Sequence, residues 1–120
     1  MQYSRNASVS STTLMSVQMS PAELAERNKQ ESPPLLLDVR EAWEVDLCCI
    51  AGALHIPMKE IPGRLGELST EQSMVVYCHH GMRSLQVVTF LQRQGFDEVH
   101  NLAGGIDAWA RNIDPAMALY

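Results

Sequence analysis

Apolar residues along the chain fall into short unbroken runs that alternate with stretches of helical spacing. Leu35 to Val39 and Met74 to Tyr77 are continuous, β-branched or long apolar runs, the pattern of strands buried on both faces of a sheet. Shorter runs at Val17 to Met19, Ala53 to Ile56 and Glu98 to Leu102 predict three further strands, with Pro57 closing the one before it. Between them, Ser20-Pro21-Ala22-Glu23 supplies an N-cap, a first-turn proline and an acidic first turn for a helix to about Asn28. Glu41 to Leu47 is compatible with a short helix that turns Trp43 and Leu47 inward. Ile61, Leu65 and Leu68 carry helical spacing over Met58 to Leu68, which Pro62 and Gly63 shorten or distort. Leu85, Val88, Phe90 and Leu91 predict a helix from Ser84 to Gly95, and Gly104-Gly105 leads into a last helix from Ile106 to Arg111.

Strands alternating with helices define an α/β domain over residues 17–111, with a mainly parallel sheet of about five strands covered on both faces. Residues 1–16 are rich in Ser and Thr and aperiodic, and read as a disordered leader with Met15 as an alternative start. Residues 112–120 form a tail with no clear period. In parallel sheets ligands bind beyond the carboxyl ends of the strands. Asp38-Val39-Arg40 and Cys78 both stand at such ends, which points to one shared site.

Composition narrows the function. A chain of 120 residues with 46% hydrophobic and 19% charged residues is one ordinary globular domain. Its formal charge of −5 argues against generic binding to nucleic acid or an anionic membrane, so an anionic ligand has to be attracted locally, by Arg83, Arg40 and backbone N–H groups. Three cysteines, two of them adjacent at Cys48 and Cys49, make no disulfide framework and suggest free thiols in a reducing compartment, with the cytoplasm as the default. No apolar run reaches the length of a membrane-spanning helix, and the first sixteen residues lack the apolar stretch of a secretory signal.

The chemistry is expected at Cys78, because the sequence Val75-Val76-Tyr77-Cys78-His79-His80-Gly81-Met82-Arg83-Ser84 delivers a thiol from a strand into a tight loop that opens a helix. Backbone N–H groups and the positive end of the helix dipole favour a charged nucleophile there. Gly81 permits the tight path, and Arg83 adds a fixed cation with several donors. Most lone cysteines are structural. That reading is kept for Cys48 and Cys49 and rejected for Cys78, on its strand, loop and helix context. A metal held by Cys78, His79, His80 and His55 is disfavoured, because contiguous Cys-His-His cannot easily turn three side chains toward one ion. Asp38 and Arg40 read equally well as a strand-end ion pair and as a site where Arg40 meets the substrate directly.

Four motifs in order give the chain a resemblance to the rhodanese family of single-domain sulfurtransferases over about residues 17–111. They are Leu37-Asp38-Val39-Arg40-Glu41 with Trp43 and Glu44, Ile50-Ala51-Gly52-Ala53-Leu54-His55-Ile56-Pro57, the Cys78 loop, and Leu102-Ala103-Gly104-Gly105-Ile106-Asp107-Ala108-Trp109. The resemblance implies a three-layer α/β/α fold and a thiosulfate sulfurtransferase type of activity. Cys78 would take the outer sulfur of thiosulfate or a persulfide, become a persulfide, and pass the sulfur to a thiol or cyanide acceptor, with thioredoxin or a sulfur carrier protein as protein acceptors. It also implies that His79, His80, Gly81, Met82, Arg83 and Ser84 line the donor site with Arg40, that Asp38 supports the backbone, and that neither cofactor nor metal is needed. Related phosphatases of this fold use a seven-residue loop. The six residues from Cys78 to Arg83 make a tighter one, which suits sulfur better than phosphorus. The competing reading is a noncatalytic module that binds a partner or senses redox state.

Overall fold

The computed structural model describes residues 17–120, so the expected leader and Met15 lie outside the described residues. The elements run β1 (Gln18–Met19), α1 (Pro21–Arg27), β2 (Leu35–Asp38), α2 (Ala42–Leu47), β3 (Leu54–His55), a 3-10 segment (Met58–Glu67), β4 (Met74–Tyr77), α3 (Met82–Arg93), β5 (Val99–Leu102) and α4 (Gly105–Asn112). Five parallel strands form one sheet in the order β1-β5-β4-β2-β3. β4 is therefore central, and all four of its residues are buried. Its side chains alternate between two cores, as the period of a strand requires. Met74 and Val76, continued by Cys78, pack with Leu37, Ile61, Val88 and Leu91 under the 3-10 segment and α3. Val75 and Tyr77 pack with Leu24, Leu102, Ile106 and Trp109 under α1 and α4.

Local chemistry sets the ends of the elements. Ser20 Oγ accepts the Glu23 N–H at 3.1 Å to cap α1, with Pro21 in the first turn. The segment from Met58 is 3-10 rather than α, with Pro62 inside it and a break at Arg64. One expectation needs correction. Helix α2 faces the other way: Trp43 and Leu47 are 62% and 50% exposed, and Glu44 is the residue it buries. The face turned inward carries Glu44, whose carboxylate pairs with Arg83, in place of the apolar pattern. The tail beyond α4, for which the pattern predicts no element, packs through Ile113, Met117 and Tyr120 against the second core.

Pairing of β2 with β4 sets Asp38 beside Tyr77, and the Val39 N–H to Tyr77 carbonyl bond (3.1 Å) extends the ladder to the point where both chains leave the sheet. Pairing of β4 with β5 sets Val76 beside Asn101. Residues from β2, β4 and β5 thus converge at one end of the sheet.

Candidate active site

The chain leaves β4 at Cys78 and enters α3 through Gly81, whose φ of +102° is a left-handed conformation that glycine adopts without strain. The turn brings two backbone N–H groups onto the cysteine sulfur: Gly81 donates at 3.1 Å and Ser84 at 3.3 Å. Cys78 is only 1% exposed, yet these amides face its sulfur, so it lies at the bottom of a cup at the start of a twelve-residue helix.

The cup is braced from β5. Asn101, which is buried, donates from Nδ2 to the Gly81 carbonyl at 3.2 Å and to Gln18 Oε1 at 3.0 Å. Those two acceptors fix the amide so that Oδ1 faces Ser84, whose hydroxyl lies 2.5 Å from it and 3.3 Å from Cys78 Sγ. A hydroxyl has one hydrogen, and the shorter separation gives it to Asn101. A second brace comes from α4. The N–H groups of Ile106 and Asp107 donate to the carbonyls of Cys78 (2.9 Å) and His79 (3.1 Å). Gly105 makes this approach possible, because at φ +65° a Cβ there would collide with those same carbonyls.

Arg83 does not stand free over the cup. Its Nη1 and Nη2 form a two-pronged pair with Glu44 Oε1 (2.7 Å) and Oε2 (2.8 Å). The Arg83 hydrogen bonds hold the Glu44 carboxyl down at about 2, against the opposing effect of burial. The same contact raises the guanidinium above its ordinary value. The Glu41 N–H (3.0 Å) and the Tyr120 hydroxyl (2.8 Å) also donate to Glu44.

Arg40 is a correction to its expected place at the donor. It is fully buried, and all five of its N–H bonds have partners within the protein. Nε and Nη2 donate to Asp38 Oδ1 (2.9 Å) and Oδ2 (2.6 Å). Nη2 also reaches the Cys48 carbonyl (2.7 Å), while Nη1 reaches the Glu44 carbonyl (3.3 Å) and the Tyr120 hydroxyl (3.0 Å). No donor is left for a ligand, and the strand-end ion pair is the reading the geometry supports. Asp38 also accepts the Arg40 backbone N–H at 3.1 Å.

The rim is aromatic and apolar. His79 lies flat between His80 (3.9 Å between centroids) and Tyr120 (3.8 Å), Tyr120 meets Trp43 edge to face at 6.1 Å, and Met82 is 73% exposed. Burial and the neighbouring His80 push the His79 imidazole below its usual value. His79, His80 and Asp107 each bring one donor atom within 4.8 Å of the others. They make a poor metal centre, because an ion shared by two stacked imidazoles would sit far out of both ring planes and Asp107 is paired with Arg111 at 3.0 Å. Cys48 and Cys49 are free thiols, and neither bonds to the Cys78 sulfur. Sequence reasoning missed Glu44, Asn101 and Tyr120. Glu44 stands in the first of the four motifs without a role, and the spacing Glu41-x-x-Glu44 is a further signal, since it forms a capping box that turns Glu44 back toward the helix start.

A parallel α/β sheet that presents a cysteine in a six-residue amide-lined loop, at a helix N-terminus, defines the class of cysteine-based group-transfer domains. The chain matches the sequence profile of the Rhodanese-like domain over residues 20–112 and belongs to that family. It is 40% identical over 95 residues to a sulfurtransferase of Allochromatium vinosum, covering 79% of this chain and 89% of that one. It is 29% identical over 118 residues to the adenylyltransferase and sulfurtransferase MOCS3 of Arabidopsis thaliana, covering 85% of this chain but 25% of that longer protein. Among solved structures it is similar to the human single-domain sulfurtransferase TSTD1, with a TM-score of 0.75, 25% identity, and coverage of 80% of this chain and 96% of that one. Its function is of the sulfurtransferase type. Among the described residues, no helix is long and apolar enough to cross a membrane.

Proposed function

We propose that the protein moves a sulfane sulfur from thiosulfate or a persulfide to a thiol or cyanide acceptor through a persulfide on Cys78. The Cys78 thiolate attacks the outer sulfur of thiosulfate, the S–S bond of the donor breaks, and sulfite leaves with the bonding pair. An acceptor thiolate or cyanide then attacks the outer sulfur of the persulfide and returns Cys78 as thiolate. The observation that carries this reading is the sulfur itself, which receives N–H bonds from Gly81 and Ser84 inside a loop of six residues. Fixed donors of this kind stabilise charge as it moves between sulfur atoms. The remaining loop residues, His79, His80, Met82 and Arg83, form the walls and rim against which a donor docks. The free state of Cys48 and Cys49 fits a reducing compartment such as the cytoplasm. A 36% identity over 74 residues to the putative sulfur carrier protein YrkF of Bacillus subtilis supports a sulfur carrier protein as the acceptor, with thioredoxin as the other protein thiol to test.

Incubation with thiosulfate should add one sulfur atom to the peptide that contains Cys78, read by mass spectrometry, and Cys78→Ser should abolish it. Thiosulfate-to-cyanide turnover that survives in Cys78→Ser would overturn the assignment. Hydrolysis of an aryl phosphate that depends on Cys78 would move the protein to the phosphatases instead.

A further inference from the structure

Two arginines stand near the cysteine, and each has its charge paired with a carboxylate. Arg40 is committed to Asp38 beneath the site. Arg83 is half-exposed, but both of its terminal nitrogens are held by a Glu44 carboxylate that is 4% exposed. Glu44 is itself fixed by the Glu41 N–H and the Tyr120 hydroxyl, so the pair is built into the wall rather than formed by two mobile surface chains. The exposed surface next to the loop comes from His80, Met82 and Trp43. A ligand at the mouth therefore meets amide N–H groups, apolar side chains and an imidazole, with the loop's guanidinium already paired.

We propose that Glu44 is a positioning residue that sets donor choice: by holding Arg83 in a two-pronged ion pair it cancels the loop's cation, and so favours sulfur donors of low charge, such as persulfides, over dianionic thiosulfate. The donor part of this proposal rests on the sulfur-transfer reading. The charge part does not. Glu44→Gln keeps the shape and the oxygen that accepts from Tyr120 while releasing the full charge of Arg83.

The test reads charge at Cys78 in two ways. Iodoacetate and iodoacetamide both alkylate sulfur with loss of iodide and differ by one negative charge, so the ratio of their rates at the Cys78 peptide, followed by mass spectrometry, needs no turnover. Thiosulfate and methanethiosulfonate both surrender an outer sulfur, leaving sulfite or methanesulfinate, and again differ by one charge. In Glu44→Gln the iodoacetate to iodoacetamide ratio should rise roughly three- to tenfold, the size of one unit charge acting over a few ångströms in water-like surroundings. KM for thiosulfate should fall relative to methanethiosulfonate by a similar factor, with kcat unchanged. Arg83→Gln, which exposes the Glu44 charge, should move both ratios the opposite way, and Glu44→Gln with Arg83→Gln should restore them to within about twofold of wild type. Flat ratios in both single variants, or a double variant that binds thiosulfate much more weakly than wild type, would overturn the proposal. Sulfur transfer with unmoved ratios defeats this inference alone. Alkylation ratios that move as expected without transfer from either donor defeat the sulfur-transfer reading and leave the charge assignment of Glu44 standing.

Discussion

Substituting Gly105 by alanine tests whether α4 holds the cysteine loop in place. At φ +65° an alanine carries a left-handed conformational cost of about 1 kcal/mol. Its Cβ would also strike the carbonyls of Cys78 and His79, so the start of α4 must withdraw. Withdrawal breaks the bonds from Ile106 N–H to Cys78 (2.9 Å) and from Asp107 N–H to His79 (3.1 Å). At about 1 kcal/mol each, these bring the expected loss to about 3 kcal/mol, a large share of the stability of a small domain. With an m-value of about 1.5 kcal/mol/M, the urea midpoint should drop by about 2 M. Gly95→Ala supplies the control, because Gly95 has φ +96° with nothing within 4 Å of its missing Cβ. It should lose the conformational part alone, about 1 kcal/mol. A Gly105→Ala midpoint as mild as that of Gly95→Ala would refute the idea that α4 abuts the loop.

Arg40→Met should destabilise the fold by about 3–5 kcal/mol, because it leaves the Asp38 carboxylate buried without its partner. Thermal unfolding measures this, and KM for thiosulfate in the folded fraction should not change. Tyr120→Phe keeps the stack on His79 but removes the donor to Glu44 and the acceptor from Arg40, so urea unfolding should show a loss of about 1–2 kcal/mol. Glu44 has a folded-state pKa of about 2 against an ordinary 4.5. A depressed carboxylate stabilises the fold above its unfolded value and stops doing so as pH falls through the folded one. About 3 kcal/mol of stability should therefore disappear between roughly pH 5 and pH 2 in urea titrations, and Glu44→Gln should flatten that part of the profile.

The sheet was legible because its evidence is local. Apolar runs at 35–37 and 74–77 have few alternatives to buried parallel strands, and Cys78 followed closely by Gly81 and Arg83 marks a strand-to-helix loop on its own. What escaped notice depends on partners far along the chain. Trp43 and Leu47 carry an apolar helical pattern, yet α2 turns them outward because Glu44 meets Arg83, 39 residues later. Asn101 looks like any polar residue in a short strand until β5 is laid beside β4 and its amide reaches Gly81 and Ser84. Tyr120 belongs to a stretch without periodicity, and its ties to Arg40 and Glu44 span 80 and 76 residues. Pairing of this range leaves no imprint on local hydrophobicity. The arginine of the Asp-Val-Arg motif illustrates the same limit, since its charge and position left an ion pair and a ligand contact equally open, and only its depth and its partners favour the ion pair.

The amides that face the sulfur are main-chain groups tied down by β4, α3 and α4, and the side chains of His79, His80 and Met82 take no part in bonding to it. The lip of the vessel is thus chemically separable from its floor. If the proposed sulfur transfer holds, grafting new residues at those three positions should retune which sulfur compounds dock, while the receptacle around the Cys78 sulfur keeps its form.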